Sequence, residues 1–205
     1  VTAPSHPALV VVDLQNDFCA GPRAAARYPG DPATLDIVTT NARRAVAVAR
    51  AHGVEVLFVR FLGDREHQGA SWRRRDQARG REPKCRSGSW GAEFHKVRPA
   101  PDEAVFTKLA CFDAFLAAGF EAHLTRRGLT HLVFAGLYTD VCVDSTARTA
   151  FQKGRHVTVL SDCTASLHLP DEEILRFMNV VYGAEITTHD RPEHWAAPRP
   201  TKENT

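Results

Sequence analysis

The chain has no apolar run of roughly eighteen residues or more, the length a helix needs to cross a bilayer, so no membrane partner is expected. The opening stretch VTAPSHPALVVVD lacks a basic segment followed by a long apolar stretch and a small-residue cleavage site. A secretory signal is therefore not expected, and the cytoplasm is the expected compartment. The five cysteines, Cys19, Cys85, Cys111, Cys142 and Cys163, are odd in number and scattered, with no CxxC pair and no zinc-like Cys/His cluster. Free thiols in a reducing compartment are the simplest reading. There is no GxGxxG after the first apolar run and no GxxxxGK[ST] anywhere, so nucleotide cofactors have no support. Neither charge sign dominates: the formal net charge is +2, which does not single out nucleic acid as a partner.

What is present is an alternation of short apolar runs and longer helical patterns. The runs at 8–13, 54–61, 104–108, 131–137, 156–162 and 184–189 read as six strands. Helical patterns occupy 34–51, 115–128 (with a weak point at Gly119), 140–153 and 171–183, and Gly follows or ends most of them. The 205 residues, 43% of them hydrophobic, suit one domain with an ordinary core. Strands separated mostly by helices predict an α/β fold, a mostly parallel sheet covered on both faces. In such sheets ligands bind beyond the carboxyl ends of the strands. The residues closing the strands, Asp13, Phe61, Lys108, Leu137 and Asp162, therefore matter most. The segment 63–90 breaks the rhythm: it is polar, Gly-rich and dense in arginine. A loop of that length reads as a lid or a subunit contact, or else as a solvated excursion. The Pro-rich tail 190–205 is expected to fray or to drape over a neighbour.

Three residues at one rim of this sheet offer an acid, an ammonium and a thiol: Asp13, Lys108 and Cys142. Together they suggest nucleophilic catalysis. A helix N-terminus and a nearby lysine both lower a thiol pKa. A carboxylate in reach can take the thiol proton and return it to a leaving group. Taken singly, each has a plain alternative: a turn-capping Asp, a surface Lys, and a small buried Cys.

Two blocks, LVVVDLQNDFC at 9–19 and LVFAGLYTDVCVDSTARTAFQKGRHVTVLSDCTAS at 132–166, resemble the signatures of isochorismatase-like cysteine hydrolases. The likeness runs over about residues 7–190. It implies a three-layer α/β/α fold around a six-stranded sheet and a catalytic set of Asp13, Lys108 and Cys142. It also implies cleavage of a C–N bond in a small amide, carbamoyl or ureido compound through a thioester, with no cofactor. The oxyanion donors it implies are the backbone N–H groups of Tyr138 and Cys142, with a cis peptide between Leu137 and Tyr138. Gln15 and Phe18 would lie near substrate, although hydrogen bonding within the loop is an equal reading for Gln15 and Asn16. A homodimer or homotetramer is the assembly it implies.

The chain departs from its relatives in informative ways. Vinyl-ether-cleaving isochorismatases lack a cysteine at the position of Cys142, so its presence argues for C–N hydrolysis. Nicotinamidases carry an Asp-x-His metal motif; here Asp64 and His67 are two residues apart, and a site from Asp64, Glu66 and His67 is the weaker reading, so no metal is expected. The lysine block reads KLACFDAF, one residue longer than usual, with Phe112 at the aromatic position. Phe112, Phe18, Tyr138 and Trp72 or Trp90 suggest an aromatic pocket wall. The arginines of 73–86, Arg73, Arg74 and Arg75 among them, suggest a carboxylate on the substrate.

Overall fold

The computed structural model describes residues 6–196. Its centre is one sheet of six parallel strands: β1 (Pro7–Val12), β2 (Glu55–Leu62), β3 (Ala104–Leu109), β4 (His131–Leu137), β5 (His156–Ala165) and β6 (Glu185–Thr187). The order is β3-β2-β1-β4-β5-β6, and all five pairings are parallel. The chain builds outward from β1 to one edge, then returns to β1 and builds to the other. The switch in strand order therefore falls between β1 and β4, where a crevice opens beyond the strand ends.

Burial explains why the strands read as continuous apolar runs. Leu9 and Val11 of β1 face one core, while Ala8, Val10 and Val12 face the other. Neither face of the central strands β1 and β4 meets water, as expected when helices cover both. Of the seven helices among the described residues, α1 (Asn16–Cys19), α2 (Gly21–Arg27) and α3 (Ala33–Ala51) lie on the first face. On the second lie α5 (Phe120–Arg126), α6 (Asp144–Gln152) and α7 (Asp171–Tyr182). The remaining helix, α4 (Ala70–Ala78), stands in the segment after β2.

The structure departs from the sequence expectations in four places. The pattern at 115–128 is broken at Gly119, whose φ of 80° starts α5 afresh; only a short 3-10 turn, Ala114–Leu116, precedes it. The 63–90 segment is not all loop. Its helix α4 has the sequence ASWRRRDQA, polar around its whole circumference, so no apolar period announced it. Two short helices, α1 and α2, follow β1 across residues 16–27, a stretch with no apolar stripe to announce them. Last, the described part of the tail is anchored rather than frayed: Trp195 and Ala196 are buried in the first core. Residues 197–205 lie outside the described residues.

Candidate active site

The first strand delivers Asp13 one residue past its end, with a left-handed φ of 52°. Aspartate is among the few residues that adopt this region readily. The N–H of Asp13 donates to the Val59 carbonyl at 2.9 Å, tying the turn to β2. Lys108 sits on β3 in register with Phe61 of β2. Because β2 lies between β3 and β1, the lysine must reach across a whole strand. Its Nζ passes 5.9 Å from the Phe61 ring and donates to Asp13 Oδ2 at 2.6 Å. It also donates to the Phe112 carbonyl at 2.9 Å. The Phe112 carbonyl in KLACFDAF thus gives the ammonium a second acceptor. Both side chains of the pair have 0% exposure.

Cys142 enters from the other side of the switch point. The bond between Leu137 and Tyr138 is cis. A π-helical turn, Thr139–Val143, then carries Cys142, and α6 follows directly. The turn is pinned from several directions. Asp140 accepts the N–H groups of Leu167, His168 and Leu169 at 2.8, 2.7 and 3.0 Å. Thr146 Oγ1 donates to the Cys142 carbonyl at 2.8 Å, and Thr164 Oγ1 donates to the Gly136 carbonyl at 2.7 Å. Gly136 has φ 130°, and a Cβ there would lie 2.0 Å from the Val12 carbonyl oxygen. Only glycine lets the strand bearing Cys142 come this close to the strand bearing Asp13.

The three groups perturb one another. Burial pushes the Asp13 carboxyl above its usual range, and the pull of Lys108 only partly offsets that. Burial alone would depress the Lys108 ammonium; Asp13 and Cys142 outweigh it and hold the ammonium above its ordinary value. Burial pushes the Cys142 thiol far up, Lys108 pulls it down, and Asp13 adds to the rise. The lowered thiol pKa expected from a helix N-terminus and a lysine is therefore not the resting state. The cysteine is 8% exposed, and desolvation wins. A side-chain hydrogen bond joins Asp13 to Cys142, which sets a proton acceptor directly beside the thiol.

A cavity of about 360 Å³ opens onto Cys142. Leu137, Tyr138, Phe18 and Phe112 all line it. Trp72 also lines it, with its ring 4.9 Å from Phe112 and stacked on Phe61 at 6.0 Å. Trp90 does not; it is exposed and lies against Gly21. Gln15 is not on the wall either. Its amide donates to the carbonyls of Phe61 and Ala92 at 2.9 Å each and accepts the Phe61 N–H at 2.7 Å. Its neighbours behave alike: Asn16 donates to the Trp90 carbonyl and Asp17 accepts the Cys85 N–H. The DLQNDF block is thus the clasp that fastens the 63–94 segment to the sheet, and of its side chains Phe18 faces the cavity.

That segment forms the far wall, through Gly63, Gln68, Trp72, Arg75, Asp76, Arg79, Arg81 and Lys84 among others. Arg27 of α2 faces them. Neither Arg27 nor Lys84 was singled out by the sequence. The one signal for Arg27 is indirect: Pro22 in GPRAAAR marks the first turn of a short helix. Asp64, Glu66 and His67 do not converge as a metal site. The Asp64 carboxylate accepts the Ser87 N–H and hydroxyl, the latter at 2.8 Å, and Glu66 lies 3.7 Å from His67. Among the described residues, three ligand types meet at Asp162, Cys163 and His189. There, His189 Nδ1 is 2.5 Å from Asp162 Oδ2, and Cys163 points its sulfur at Oδ1, so the group is satisfied internally.

A family model described as the isochorismatase domain matches residues 7–191. The ureidoacrylate amidohydrolase RutB of Pseudomonas savastanoi pv. phaseolicola is 30% identical over 177 residues, covering 78% of this chain and 71% of that protein. Among solved structures, the N-carbamoylsarcosine amidase of Thermoplasma acidophilum superposes with a TM-score of 0.75 at 25% identity, covering 90% of this chain and 96% of that one. A pyrazinamidase of Pyrococcus horikoshii, solved in complex with zinc, gives a TM-score of 0.73 at 25% identity, covering 89% and 99%.

Proposed function

We propose, from the premise that this chain belongs to the isochorismatase family, that it is a cysteine-dependent amidohydrolase of small amide, carbamoyl or ureido compounds. The observation that carries the reading is the water-excluded Asp13–Lys108 pair at 2.6 Å, beside a thiol that opens onto a small cavity. The similarity to an amidohydrolase and to an amidase supports the same bond type.

Asp13 Oδ1 takes the Cys142 proton as the sulfur attacks the substrate carbonyl. The carboxylate charge moves to sulfur, and Lys108 remains beside it, so no net charge enters the buried site. The carbonyl oxygen becomes an oxyanion. Backbone N–H groups of Tyr138 and Cys142 are the donors proposed for it. As the tetrahedral species collapses, the C–N bond breaks and Asp13 returns the proton to the departing ammonia or amine. Water, deprotonated by Asp13, then cleaves the thioester and restores the thiol. The proposed steps run through Asp13, Lys108 and Cys142 alone.

The test is ammonia release across a panel of amides, carbamoyl compounds and ureides, run in parallel with Cys142→Ala. Turnover of at least one compound, lost in the variant and accompanied by an acyl adduct on Cys142 in mass spectra, is the expected result. Turnover that survives Cys142→Ala would overturn the thioester route and favour vinyl-ether hydrolysis.

A further inference from the structure

The cavity wall carries more positive charge than its own acids can balance. Arg27, Arg75, Arg79, Arg81 and Lys84 line it, against Asp76, Glu82 and Asp140. Each acid is already committed. Asp76 takes Arg75 at 2.6 Å and the Trp72 indole at 3.1 Å. Glu82 faces Arg65 at 3.7 Å, and Asp140 takes three backbone N–H groups. Among the described residues no carboxylate pairs with Arg27, Arg79, Arg81 or Lys84.

Arg27 is the most constrained of the four. One Nη donates to the Asp17 carbonyl at 2.6 Å and to the Tyr138 hydroxyl at 3.1 Å. Its guanidinium lies over the rings of Phe18 and Tyr138, at 5.4 and 5.7 Å from their centroids. The Nε is buried and has no acceptor. A fixed planar cation with an unused donor is a ready partner for a carboxylate. Lys84 is held nearby by the Gly63 N–H bond to its carbonyl, at 3.1 Å. A side chain at Gly63 would meet that carbonyl at 2.5 Å, so the glycine is what lets Lys84 approach. Burial first, then Arg27, Arg81 and Arg75, lower the Lys84 ammonium to about 8, with Asp76 opposing them. These cations repel one another in the empty cavity.

We infer that the substrate is an anion whose carboxylate seats between Arg27 and Lys84, with its scissile carbonyl at Cys142. The identity of that scissile bond rests on the amidohydrolase reading; the anion seat does not. Tyr138 links the two ends, because its hydroxyl holds Arg27 while its backbone leads into the Cys142 turn. The arginines picked out by sequence are mostly not the ones involved. Arg75 is spent on Asp76 and stacks over Trp72, Arg73 donates to the Gln68 carbonyl, and Arg74 is exposed and off the cavity wall.

The experiment is calorimetric titration of Cys142→Ala, which cannot form the thioester. The probes are ureidoacetate, 3-ureidopropionate and 4-ureidobutyrate, each against the n-alkylurea of equal chain length. At least one carboxylate is expected to bind tenfold or more tightly than its neutral match, with affinity falling in high salt and above about pH 8 as Lys84 loses its proton. Arg27→Gln and Lys84→Gln, each added to that background, should remove most of the preference, while Arg74→Gln should leave it intact. Equal or undetectable binding of the two series, or a preference that survives the Arg27→Gln, Lys84→Gln double change, overturns the inference. Carboxylate-selective binding together with a wild-type protein that hydrolyses none of the ureides would instead sink the amidohydrolase reading and leave the anion seat standing.

Discussion

One cationic site is buried behind the cavity and another lines its wall, and they are built in opposite ways. Lys108 is matched by Asp13 at 2.6 Å, and neither is exposed. Among the described residues no carboxylate pairs with Arg27 or Lys84, and both line the cavity. The first site is charge-balanced because a buried unpaired ion costs several kcal/mol. The second is left unbalanced, and burial together with Arg27, Arg81 and Arg75 lowers the Lys84 ammonium to about 8. On the proposed reading, reaction chemistry falls where the protein supplies every partner, and recognition where one partner is withheld.

The strongest way to break this contrast is to unbalance the first site. Asp13→Asn removes the proton acceptor and is expected to lower kcat by about 10²–10⁴-fold, read in ammonia-release assays. Lys108→Met leaves the Asp13 carboxylate alone in the core and is expected to cost about 3–5 kcal/mol, measured by urea unfolding. The double change Asp13→Asn, Lys108→Met should recover much of that stability but no activity. A double variant as unstable as Lys108→Met alone would show that packing, not charge, matters there.

Gly136→Ala probes the close approach that brings the two halves of the first site together. With the Val12 carbonyl 2.0 Å from the new Cβ, a loss of about 1–3 kcal/mol and a large fall in kcat are expected. Unchanged kcat would mean that the strand spacing is not what sets the Asp13–Cys142 geometry.

The smallest effect sharpens the second site. Lys84 has a pKa of about 8 when folded against 10.5 for a free lysine. Between those values the unfolded chain holds more protons, so stability should rise as pH goes from about 8 to about 10.5. Below pH 8 the folded state carries the strained charge. Lys84→Gln should therefore stabilise the protein near neutral pH by about 1 kcal/mol after discounting for solvent screening, or a few degrees in Tm. The gain should vanish near pH 10.5. A destabilised Lys84→Gln variant at pH 7 would mean that the ammonium has a partner that holds it in place.

Legibility in the sequence followed apolar pattern. The strands were plain because β1 and β4 are buried on both faces, and the helices α3 and α7 because each has one apolar stripe. Helix α4 has no such stripe: its Trp72 and Asp76 are fastened by an indole–carboxylate bond at 3.1 Å and by Arg75, contacts that no periodicity encodes. Asp13, Lys108 and Cys142 stood out in the sequence as candidates because each sits near or just past a strand end, where an α/β sheet places its ligands. Gln15 was ambiguous for the opposite reason. A polar residue beside the site looks the same in sequence whether it faces substrate or, as here, fills its bonds with Phe61 and Ala92.

The sequence by itself determined the alternation of strands and helices, the rim on which chemistry would fall and the three residue types that meet there. It did so because burial and strand ends leave a one-dimensional trace. Tertiary structure alone decided that burial pushes the Cys142 thiol up rather than down, that DLQNDF is a clasp, and which of the many arginines face the cavity. Those outcomes depend on desolvation and on contacts between residues far apart in sequence, such as Arg27 and Tyr138 at 111 positions, and neither quantity is local to the chain.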